Sequence, residues 1–177
     1  MKCSKTEERL NKMASLKYGC IHPCPKTKEY PVAASQYFQH NGFTPVYLDT
    51  SGHLTGALTA TTTLLGVAVI PKGRGNATNT SDDYWLSSAT AGADKLPVIL
   101  ASDGYQFLAP GIITCTAAML GGAWDIIGVN SASTHYVDLD TSSTDVVIAV
   151  DLGVNVKADA VITDVVVIIN PAKIQAD

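Results

Sequence analysis

The pentapeptide Cys20-Ile21-His22-Pro23-Cys24 is where metal chemistry would be sought first, because two thiols and an imidazole fall within one short stretch. Tetrahedral zinc takes four such ligands, usually from two closely spaced pairs. Only Cys3 and Cys115 remain to add sulfur, and they form no second pair. Free cysteines in a linker are the expectation, with a Cys20–Cys24 disulfide as the alternative. His22, His40, His53 and His135 show no HExxH spacing, and no GxSxG elbow offers them a nucleophile. All four are expected on the surface or at strand edges.

Acidic residues give one further candidate. Asp138 and Asp140 alternate in YVDLDTSSTD, so a strand there would aim both carboxylates from one face. With Asp145 they would suit calcium, which favours oxygen ligands, but the loop lacks the glycine and closing glutamate of an EF-hand. A solvated acidic face is expected, as for Asp82-Asp83. Gly73-Arg74-Gly75 lacks the Gly-Lys-Ser/Thr ending of a phosphate loop and reads as a turn. Tyr84-Trp85 beside Asp82-Asp83 is the single patch with the makings of a sugar platform. No catalytic, cofactor-binding or metal-ligating residue is assigned, and no enzyme activity is expected.

The elements that carry these residues read as strands. The chain has 16 Val, 12 Ile and 18 Thr, types that suit a pleated surface, and no glutamate after Glu29. Strands are expected near 43–48, 65–70, 97–101, 104–108, 124–129, 135–139, 145–151 and 161–169. Ser102-Asp103-Gly104 reads as a hairpin turn, and residues 114–120 read as a short helix stopped by Gly121-Gly122. After residue 169, Asn170-Pro171 leaves a short polar tail. No exact repeat is visible. PVYLDTSGHL (45–54) and PVILASDGYQF (97–107) echo each other, as two related hairpins or as ordinary strand patterning.

Charge divides the chain at its start. Residues 1–28 hold seven of the 12 Lys and Arg against Glu7 and Glu8, whereas residues 29–177 hold five basic and 14 acidic side chains. A basic, Pro-punctuated arm over 1–31 and an acidic β-rich body over 32–177 follow, the body having a possible second β-region split off near 110–123. Residues 1–18 suit a short amphipathic helix capped at Ser4. No apolar leader is visible, the apolar runs are too short to span a bilayer, and an acidic body opposes nucleic-acid binding.

The segment GFTPVYLDTSGHLTGALTATTTLLGVAV carries no charge from Leu54 to Ile70 beyond its turn. Through Val46, Leu48, Gly52, Leu54, Leu65, Gly66, Val67 and Ala68 it resembles the β-module of tailed-phage capsid decoration (cement) proteins, and DKLPVILASDGYQFLAP fits as a further hairpin. The resemblance covers residues 40–110. It implies an all-β barrel, β-tulip or sandwich body with at most one or two short helices, trimeric, bound to the major capsid protein on the outside of the virion after synthesis in the host cytoplasm. It implies no cofactor, nucleic acid or membrane as partner. Lys12, Lys17, Tyr18, Lys26, Lys28 and Tyr30 are the arm residues expected to contact the capsid. The length beyond a minimal cement module leaves a fused second β-region or a head-fibre base open, and the Tyr84-Trp85 patch leaves a carbohydrate-binding, adhesin-like module as the alternative.

Overall fold

The computed structural model describes residues 19–22, 25–39, 42–70, 84–128, 135–140, 142–153 and 164–176. Their fold is all-β, with three single 3-10 turns and no longer helix. No helix among them is long and apolar enough to cross a membrane. The strands are β1 (Gly19–Cys20), β2 (Lys28–Pro31), β3 (Tyr37–Gln39), β4 (Pro45–Leu48), β5 (Leu54–Gly56), β6 (Gly66–Ala68), β7 (Tyr84–Leu86), β8 (Lys95–Leu100), β9 (Phe107–Pro110), β10 (Ala123–Ile127), β11 (Tyr136–Asp138), β12 (Val147–Leu152) and β13 (Asp164–Ile169).

These strands close into two small barrels. The first has the antiparallel order β2-β8-β6-β4-β5. It closes where Val32, just past β2, bridges Leu54 in parallel and Ala33 N–H donates to the Leu54 carbonyl at 3.0 Å. The second has the order β9-β13-β12-β10-β11 and closes in the same way. There Gly111, just past β9, bridges Val137, and Ile112 N–H donates to the Val137 carbonyl at 3.2 Å. Closure removes the open edges that would template aggregation.

The likeness extends to register. Pro31 faces Lys95 as Pro110 faces Asp164, each proline preceding the bridging residue. Gly66 lies between Val46 and Leu100 as Val147 lies between Trp124 and Ile169. Ala68 faces Val98 as Ala149 faces Val167. Leu48 faces Leu54 as Ile126 faces Val137. One five-strand plan therefore occurs twice in tandem. The echo between residues 45–54 and 97–107 is not this repeat: the first is the β4–β5 hairpin, and the second joins the last strand of one barrel to the first of the next.

Each barrel is filled by the inward half of its alternating strands. Val46, Leu54, Leu96 and Val98 fill the first, where Phe38 stacks on Trp85 from the β3–β7 ribbon with ring centroids 5.6 Å apart. Ile126, Val137, Ala149, Val165 and Val167 fill the second. Outward residues of the first barrel, among them Val67 and Ile99, join the second core, so β6 is buried on both faces and its GVA has no polar side.

Several expectations change here. Residues 102–104 form no hairpin, because β8 and β9 each find both neighbours in different barrels; Gly104 (φ 67°) instead ends a 3-10 turn over Ala101–Asp103. The chain passes between barrels there, upstream of 110–123. The helix read over 114–120 is a single 3-10 turn, Ala117–Met119, whose Met119 carbonyl accepts from the Trp124 indole at 3.1 Å. The polar tail packs back on the first barrel: Ile174 bridges Leu64, and the Gln175 amide clamps the Leu48 backbone at 2.7 and 2.8 Å. The helix read over 1–18 and the turn read at Gly73-Arg74-Gly75 lie outside the described residues.

Candidate functional site

Asp125, on β10, is a heavily bonded side chain, with five donor groups on its carboxylate. Its carboxylate is 4 % exposed and meets the turn that leads into β12. It accepts from the amides of Ser143, Thr144 and Asp145 and from the hydroxyls of Ser143 and Thr144. Asp145 holds a positive φ of 54° to aim its amide there, and its carbonyl is fixed by the Asn170 amide at 2.7 Å. Burial pushes the carboxyl up, but the Ser143 hydroxyl and the three amides outweigh it and hold the group well below the usual carboxylate range. A carboxylate so held is a poor proton acceptor and an inert nucleophile; it is an anchor for a turn.

The other acidic candidates are also committed locally. Asp138 lies opposite Asp125 in the β10–β11 ladder, and its Oδ1 accepts from Asp140 N–H at 3.1 Å. Asp138 is buried and Asp140 exposed, so the two do not form the shared solvated face expected of them. The described residues contain no group of three or more His, Cys, Asp or Glu placed to hold a metal. Asp82 and Asp83 lie outside the described residues.

Of the cysteines, Cys20 and Cys115 are described, both as free thiols. Burial, reinforced by the Asp164 charge, pushes the Cys115 thiol up to about 11, and burial also raises that of Cys20. The thiolate is the reactive species, so both are quiet at neutral pH. In the folded protein at pH 7.5, peptide mapping after iodoacetamide treatment should find Cys115 unlabelled, with modification appearing on denaturation; rapid native labelling would contradict this environment.

Two rings belong to the interior: His135, expected on the surface or at a strand edge, and Trp85, weighed as a sugar platform. Trp85 is 2 % exposed and stacked on Phe38, so it offers no sugar platform. His135 is 5 % exposed, with Nε2 2.9 Å from the Ala57 carbonyl. Hydrophobic surroundings from non-local strands claimed both, a signal that neighbouring sequence does not contain. Asp125 was likewise missed, because its five donor groups lie 18 to 20 residues away.

Of the expected contact residues, Lys12, Lys17 and Tyr18 lie outside the described residues. Lys26 and Lys28 are exposed, with the Lys28 ammonium 5.2 Å from the Tyr30 ring centroid. Tyr30 itself is corrected: it is 6 % exposed and fills the first barrel, because it alternates inward on β2. The segment read as a linker is paired at both ends. β1 adds to the edge of β9, Ile21 N–H donates to Gln106 at 3.1 Å, and β2 is a barrel stave. Between them Ile21 is 51 % exposed, His22 sits 5.1 Å from the Tyr105 ring, and Lys26 N–H donates to the Tyr105 hydroxyl. A basic and apolar strip thus lies where the chain enters the body.

Compared with known proteins, the chain matches no family model, no curated protein and no solved structure.

Proposed function

We propose that this protein is a structural virion component that binds the outside of an expanded icosahedral capsid and holds junctions between major capsid subunits. The observation that carries the reading is the entry of the basic N-terminal segment as strand β1 on the edge of β9, followed by the exposed Ile21, Lys26 and Lys28. Binding by strand addition uses main-chain hydrogen bonds and little side-chain chemistry. The body suits such a role, since its buried Asp125 and its described thiols serve the fold. A protein that bridges several subunits stabilises only the state that presents the whole site. Repetition around a symmetry axis, as in the homotrimer we favour, lets each contact be weak.

Truncation tests this reading and must respect the strands. Removing residues 1–28 would delete β1 and open β2, whereas removing residues 1–18 spares both. The 1–18 deletion is expected to fold with wild-type melting behaviour and to lose at least tenfold in co-sedimentation with expanded capsids. Full occupancy by the shortened chain would sink the assignment of the arm as the capsid anchor. A carbohydrate-binding reading would instead rest on Tyr37 and Tyr84, whose rings lie 5.3 Å apart, since Trp85 is core.

A further inference from the structure

Among the described residues, Nδ1 of His135 is the buried side-chain nitrogen without a hydrogen-bond partner. The ring stands at the start of β11, where the second barrel meets the turn that follows β5 of the first. Its Nε2 lies 2.9 Å from the Ala57 carbonyl, so Nε2 carries the proton and donates, leaving the Nδ1 lone pair facing no donor. Gly128 closes the other side of the seam. A Cβ there would come within 2.1 Å of the Ala57 oxygen and 3.0 Å of the His135 ring. Thr59 Oγ1 donates across the same seam to the Gly128 carbonyl at 3.2 Å.

We propose that His135 is an acid-released clamp between the two barrels. The neutral ring fits the seam, holding Ala57 with one nitrogen and leaving the other bare. A second proton would put a cation into a buried seam and an extra N–H donor at Nδ1, which faces no described acceptor, and that costs far more than burying the neutral ring. Opening the seam gives that proton water. The titratable groups on the elements that meet there are Asp125 on β10 and Tyr136 and Asp138 on β11; residues 57–61 carry none. Asp125 is occupied by residues 143–145, and Asp138 accepts from Asp140.

Burial holds the His135 ring below its ordinary range, and the Ala57 carbonyl opposes this only in part. The opened form therefore takes up a proton first as pH falls. Clamp stability is complete above about pH 6.5 and declines below it until the pKa of the closed form is reached. This window lies above the one belonging to Asp125, which starts near the ordinary carboxylate pKa. The proposal is independent of the capsid reading.

Hydrogen exchange with mass detection on the full chain, from pH 7.5 to 5 and corrected for intrinsic exchange, tests it. In peptides spanning 57–61 and 126–128, opening should rise by about tenfold per pH unit below 6.5 in the wild type. His135→Gln, whose amide still donates to Ala57 and does not titrate, should give a flat profile. A flat wild-type profile, or an equal slope in His135→Gln, would overturn the clamp. Should the variant not fold, the wild-type imidazole followed by NMR decides alone. Titration below 6.5 supports the clamp, and titration at or above 6.5 refutes it.

Discussion

Asp125→Ala is expected to lower the unfolding free energy by about 3 kcal/mol or more, because five donor groups lose one shared acceptor at once. The amides of Ser143, Thr144 and Asp145 would lose their acceptor, and a buried donor left bare costs about 1–3 kcal/mol. The damage should spread, because the turn they form leads into β12, which pairs with both β10 and β13. Asp125→Asn keeps a carbonyl oxygen and should fall between Ala and wild type. Acid gives a second readout. The folded carboxyl titrates below its unfolded value, so its contribution is complete above about pH 3.8 and is lost as pH falls beneath that. Asp125→Asn should lack this acid-dependent step. Chemical denaturation across pH 2–7 measures both, and equal pH profiles for wild type and Asn variant would disprove the anchor.

The second large effect belongs to Gly66. A Cβ at this position of β6 would stand 2.1 Å from the Ile99 carbonyl oxygen and 3.0 Å from Val98 Cγ1. The obstacle is the backbone of β8, which cannot rotate away as a side-chain tip can. Gly66→Ala should therefore cost about 3 kcal/mol or more, at the upper end for overpacking. Gly52→Ala is the matched control. Its φ is 78° and nothing stands within 4 Å, so it should cost only about 1–2 kcal/mol of backbone strain. Comparable losses in the two variants, measured by denaturant unfolding, would refute the close approach of β6 and β8. The position equivalent to Gly66 in the second barrel is Val147, fully buried in the β12 ladder. The need for glycine thus arises from one local crossing of strands, and the five-strand plan itself does not require it.

The strands expected from the sequence, around β4, β6 and β8 to β13, are present with shifted ends, β9 for instance at Phe107–Pro110 where 104–108 is expected. Those it missed, β1, β2, β3, β5 and β7, are only two to four residues long; β1, β2 and β5 also carry Pro, Gly or charged side chains, whereas β3 and β7 are three-residue aromatic segments too short to show a period. Segments that short are ordered by the partner they pair with, and Lys28–Pro31 is a strand because Lys95–Val98 lies beside it. The Ser102–Gly104 turn has hairpin composition, yet composition does not say where the flanking strands find their neighbours.

What the sequence determined by itself was the all-β class, the alternation that fills a sheet interior, the contrast of basic start and acidic body, and the lack of a familiar catalytic motif. Those are properties of residues within a few positions of one another, set by propensity and by period-two patterning. Tertiary structure alone decided that the strands close twice on one plan, through the single bridges at Val32–Leu54 and Gly111–Val137. It also decided where several residues singled out in the sequence lie. Cys20 pairs as an edge strand, Trp85 and Tyr30 fill a barrel, and His135 sits between the two. Each depends on groups tens of residues distant, whose approach is a consequence of barrel closure.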